Sequence, residues 1–90
     1  MNLVKKLIKI EAFILTLEFL NKEILKINLK EQIKEWAEEP SNIFNELLNE
    51  EYFKTVQYDE DWETIYWDNG IDLCADLLYK IAQKQKITNL

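Results

Sequence analysis

The chain contains no histidine and no arginine; all eleven of its basic residues are lysine. It has one glycine, one proline, one cysteine and one serine in ninety residues. Without histidine, the commonest general base and metal ligand is missing. The lone serine, Ser41, therefore has no imidazole to activate it. One glycine, Gly70, cannot build a phosphate-cradling loop or a dinucleotide fingerprint. Without arginine there is no planar fork for guanine or phosphate. One cysteine, Cys74, cannot form an internal disulfide, which fits a reducing cytoplasm. No apolar run approaches the ~18 residues of a membrane span.

What is present is acidic and apolar. Seventeen acidic residues against eleven basic ones give a net charge of −6. Such a surface repels nucleic acid, whose backbone must be neutralised by clustered cations, and attracts a basic protein. At 48% hydrophobic and 31% charged residues, the chain has the composition of a folded domain. Its length suits one domain, residues 1–90, able to bury about 60–65% of its unfolded surface. Lys5 and Lys6 precede an apolar stretch, but Lys9, Glu11 and Glu18 interrupt it and no small-residue cleavage site follows. The N-terminus is therefore read as strands, not as a targeting segment.

Period-two alternation marks those strands. Ile8, Ile10 and Ala12 oppose Lys9 and Glu11; Leu15, Leu17 and Phe19 oppose Thr16 and Glu18. A turn at Asn21-Lys22 leads to a third strand with Leu25, Ile27 and Leu29 inward. The period then lengthens. Leu29, Ile33, Trp36 and Ala37 fall on one face of a helix, which Pro40 stops. Ser41 is placed to cap a second helix carrying Ile43, Phe44, Leu47 and Leu48, and Asn49 to cap one more turn that points Phe53 inward. TVQYD and ETIYW flank a polar EDW tip and read as a hairpin. Leu77, Leu78 and Ile81 then give a closing helix, with the last few residues frayed. The expected class is α+β, in the order β-β-β-α-α-β-β-α, with a mainly antiparallel sheet and helices packed on one face.

Few positions invite a chemical role. Cys74 sits at the start of the last helix, where a dipole stabilises a thiolate, but no second group assists it. Asp59, Glu60, Asp61 and Glu63 lack the glycine of a calcium loop and read as a solvated tip. Trp62, in that tip, either folds back onto the sheet or stays exposed for a partner; folding back is the preferred expectation. Trp62, Asp59, Asp61 and Asp68 are the candidate partner-binding residues. Trp67, Asn69, Gly70 and Asp72 form a candidate structural hinge, with Gly70 supplying backbone freedom and Asp72 accepting hydrogen bonds from the corner or the helix start. No catalytic, cofactor-binding or metal-ligating residue is expected.

Residues 43 to 79, IFNELLNEEYFKTVQYDEDWETIYWDNGIDLCADLLY, resemble a small bacterial family known as domain of unknown function 2442. The resemblance rests on a leucine-asparagine segment closing on phenylalanine (Leu48 to Phe53), a Trp-Pro-Asn-Gly-x-Asp-like motif at Trp67 to Asp72, and Leu78-Tyr79 in the closing helix. Asp68 stands in place of the motif's proline, and Cys74-Ala75 in place of a Ser/Asp-Pro helix start. The resemblance implies a β-meander with helices and no established catalytic residues. It also implies frequent neighbourhood with genes of another short family, domain of unknown function 4160, in a toxin–antitoxin-like arrangement, and in some members fusion to a helix-turn-helix module. Together these considerations lead to a cytoplasmic, non-enzymatic interaction domain for a small basic protein, with no cofactor, no direct nucleic acid and no membrane, and with a homodimer open. The alternatives are a transcription-regulatory, DNA-binding or autoregulatory component, and a mobile-element inhibitor of a nucleic-acid-binding enzyme.

Overall fold

A computed structural model describes residues 2–88. The class is α+β, in the expected order, and a short sixth strand is added. Strands β1 (Val4–Glu11), β2 (Ile14–Phe19) and β3 (Ile24–Asn28) form one antiparallel sheet in the order β1-β2-β3. Helix α1 (Lys30–Trp36), a 3-10 segment (Ile43–Leu48) and helix α2 (Glu50–Phe53) follow. Strands β4 (Gln57–Asp59), β5 (Thr64–Tyr66) and β6 (Asp72–Leu73) make a second antiparallel sheet in the order β4-β5-β6, and helix α3 (Ala75–Thr88) closes the chain. The sheet is therefore divided in two. The expected fraying of the last few residues falls at and beyond the limit of the described residues.

The central strand β2 buries Leu15, Leu17 and Phe19 as the alternation predicts. Thr16, expected on the outer face, is buried too, covered from both sides by β1 and β3. Strand β1 departs from the alternation itself. Its pairing with β2 shifts between Val4 and Lys6 and again between Leu7 and Lys9. Each shift inserts one extra residue, so the inward positions become Val4, Leu7 and Ile10, three apart, in place of two. Ile8, expected inside, is 43% exposed. Ala12 is not in the strand; it takes φ 52° in the two-residue turn to β2. At the next turn Lys22 carries the positive φ of 74°, while the Asn21 side chain accepts a hydrogen bond from the Glu23 N–H at 3.0 Å.

The helical connection is held by asparagines. Asn28 accepts from the Lys30 N–H at 3.1 Å at the start of α1. Asn42, not Ser41, caps the 3-10 segment by accepting from the Phe44 N–H at 2.8 Å. Ser41 lies one position too early to reach it. Asn49 caps α2 as expected, accepting from Glu51 at 3.0 Å. Phe53 is buried between Phe13 and Trp67, with ring centroids 5.1 and 5.5 Å apart. Helix α3 buries Leu78, Ile81 and Ala82, whereas Leu77 turns outward. Its Gln85 amide donates to the Asn28 carbonyl at 2.8 Å and accepts from the Asn28 N–H at 2.9 Å. A side chain thus occupies the place of a neighbouring strand at the end of β3.

Candidate binding groove

The two ends of the β4–β5 hairpin are built differently. At the β5–β6 corner, Trp67 is almost fully buried and its indole N–H donates to the Phe53 carbonyl at 2.9 Å. Backbone bonds from Trp67 N–H to Ile71 C=O and from Gly70 N–H to Trp67 C=O close the turn. Gly70 has φ 96°, and a Cβ there would meet nothing within 4 Å; backbone conformation, not space, calls for glycine. Asn69 is the organising side chain. It accepts from the Ile71 N–H at 3.1 Å and donates to Glu46 at 3.0 Å, while its own N–H donates to the Tyr52 hydroxyl.

Asp72 does not take the role expected of it. It is a strand residue opposite Tyr66, exposed, and its carboxylate accepts no hydrogen bond among the described residues. The acceptor the corner needs comes from Asn69, which already lies inside the turn. Asp68 is also exposed and accepts from the Gln57 side chain at 2.7 Å, with Tyr66 donating to the same glutamine.

At the tip, the Asp59 carboxylate accepts from the N–H groups of Asp61 and Trp62, at 2.9 and 3.2 Å. This is the turn that a short acidic side chain makes with the backbone two residues on. Glu63 follows with φ 53°, and its carbonyl accepts from the Val4 N–H at 2.8 Å. The Tyr58 hydroxyl donates to the Val4 carbonyl at 2.9 Å. Burial first, then the carboxylates of Glu63, Glu60 and Asp59, push that hydroxyl above its ordinary pKa, so it stays a donor.

With its backbone fixed in this turn, Trp62 does not fold back. It is 78% exposed. The expectation of a folded-back indole is overturned because Tyr58 and the backbone of Glu63 make the attachments to β1.

Trp62 instead forms one wall of a groove of about 290 Å³, shared with Asn2, Leu3, Thr64, Asp72, Leu73, Cys74, Ala75 and Asp76. Ile65 and Leu73 pair across β5 and β6 with both side chains buried, so Thr64, Asp72 and Cys74, alternating with them, turn to the opposite face. The Thr64 hydroxyl donates to the Leu73 carbonyl, and Asp76 accepts from the Asn2 N–H at 2.7 Å. Cys74 is exposed, immediately before α3, and its carbonyl accepts the Leu78 N–H. Of the residues singled out from sequence, only Trp62, Asp72 and Cys74 meet here. Asp59 and Asp61 shape the tip beside them, while Asp68 and Asn69 belong to the other end. Asn2, Thr64 and Asp76 carried no sequence signal, since residues from three distant stretches make the groove.

The family model described as protein of unknown function (DUF2442) matches residues 4–84. The chain belongs to that family. This DUF2442 domain also shares its fold with the crystal structure of a protein described as a putative DNA binding protein from Nitrosomonas europaea, with a TM-score of 0.73 and 16% sequence identity. That alignment covers 96% of the chain but 52% of the other protein, so the chain spans about half its length. No curated protein matches the chain. Among the described residues, no helix is long and apolar enough to cross a membrane.

Proposed function

We propose that this DUF2442 domain is a non-catalytic interaction module that docks a small basic protein through the groove beside Trp62. The observation that carries the proposal is an indole 78% exposed above a groove whose ionisable lining is Asp72, Asp76 and Cys74. Tryptophan is the side chain most enriched at binding hot spots, and holding one in water is unfavourable unless a partner covers it. The surrounding charge of −6 steers a cationic partner towards the groove. Asp59 and Asp61 at the tip add to that field, and Asp68 lies outside the docking surface.

The direct experiment is co-expression with the product of the adjacent gene, followed by size-exclusion chromatography at micromolar concentration and low salt. Co-elution that weakens with added salt is expected; separate elution of the two proteins ends the proposal. A second reading, as a component of a transcription regulator, is favoured by the fold shared with the Nitrosomonas europaea protein. It requires retardation of DNA in a gel with a salt-dependent affinity, and no retardation at low salt removes it.

A further inference from the structure

We infer that the groove is a receptor for one arginine side chain of an extended segment of the partner. This inference rests on the groove being the partner-binding surface and names what enters it. At about 290 Å³ it lies at the lower limit of the ~300–1,000 Å³ of small-molecule sites, the size for a single long side chain. Its composition selects a cation. Asp72 and Asp76 are its charged lining residues, and neither is ion-paired among the described residues. Asp76 spends one oxygen on the Asn2 N–H, and Asp72 spends none on a described donor. None of the chain's eleven lysines lines the groove.

The choice of arginine over lysine follows from the third component, the exposed indole. A guanidinium is planar and weakly hydrated, so it stacks on an aromatic face while its edge donates two parallel hydrogen bonds to a carboxylate. An ammonium is a strongly hydrated point charge that gains less from the same surroundings. The apolar stem of the side chain would lie against Leu3, Leu73 and Ala75.

The absence of arginine from the chain then acquires a meaning. A second copy offers only lysines and brings another charge of −6, so the groove discriminates against its own kind.

The test is titration of the full chain with the peptide acetyl-Gly-Arg-Gly-amide and its lysine and citrulline counterparts, followed through the indole N–H resonances of Trp36, Trp62 and Trp67. The arginine peptide is expected to move the Trp62 resonance and the amides of Asn2 and Asp72 saturably at millimolar concentration. The lysine peptide should bind several-fold more weakly, and citrulline, which keeps the shape without the charge, should leave these signals in place. Trp62→Ala or Asp72→Asn should each weaken the arginine peptide about three- to fivefold. Both positions are exposed, so both variants should fold. Equal responses to arginine and citrulline, a silent Trp62, or unchanged affinity in both variants would overturn the inference. Co-elution with the basic partner that survives both substitutions unchanged also overturns it and moves the docking surface elsewhere, while leaving the basic partner itself standing. Separate elution of the unsubstituted proteins alongside an intact arginine response does the reverse.

Discussion

Trp62 and Trp67 lie five positions apart and have opposite fates. The corner around Trp67 spends its polar groups on itself: the indole N–H, both ends of the Asn69 amide and the turn's backbone all have protein partners. The tip around Trp62 is ordered as well, but only through its backbone, by Asp59 below and Val4 alongside. Order of the main chain therefore does not imply burial of the side chain. At one end the geometry serves the core; at the other it holds an indole out in water.

That contrast can be broken by substitution. Trp67→Ala removes a fully packed ring and one of the two donors to the Phe53 carbonyl, which keeps the Val56 N–H, at a cost of about 3–5 kcal/mol. Against a total of roughly 5–15 kcal/mol for a small domain, urea denaturation should show a severely weakened or unfolded protein. Gly70→Ala is next, at about 1–2 kcal/mol, because φ 96° is costly for a side chain even where space is open. Gly70→Asn should cost less than Gly70→Ala, since asparagine tolerates the left-handed region better; the reverse order would mean that space decides. Trp62→Ala should change the stability read from urea denaturation by no more than about 0.5 kcal/mol while weakening partner co-elution, which separates the tip from the core.

The smallest effect lies away from both ends. The Tyr79 hydroxyl and then the Asn21 amide donate to Glu23 and hold its carboxyl below the ordinary value. The lowered folded-state pKa means a stabilising contribution that is full above the unfolded-state pKa and is lost as pH falls through the folded one. Tyr79→Phe should flatten that acid-side loss slightly, read from denaturation midpoints between neutral and acidic pH. An unchanged slope would mean that the pair adds nothing measurable in water.

The inner face of the fold was largely legible in the sequence, because Leu15, Leu17, Phe19, Ile27 and Ile33 report their burial by period alone. Strand β1 was not, since its two bulges change the period from two to three and no residue there announces them. Strand β6 is too short to show a period. At the corner, the positions were readable but the roles were exchanged: Asn69 and Asp72 are both short acceptors, and only the turn's geometry decides which one faces inward. Trp62 was misjudged because the hydrogen bonds that aim it away depend on where Asp59 and Val4 sit. The groove itself joins residues 2–3, 62–64 and 72–76, an adjacency that only tertiary structure creates.

Val4 carries a kinetic consequence. Each sheet pairs strands that are neighbours along the chain, so each can form by closing short loops. The two are sewn together at one buried residue, whose N–H goes to Glu63 and whose carbonyl takes the Tyr58 hydroxyl across a separation of 54 residues. Such a long closure is entropically demanding and belongs late on the folding route. A seam that forms late is already absent at the barrier, so cutting it with Tyr58→Phe should hasten unfolding and leave the folding rate nearly unchanged. The groove wall formed by Asn2 and Leu3, next to Val4 in the chain, would then last only as long as the seam holds.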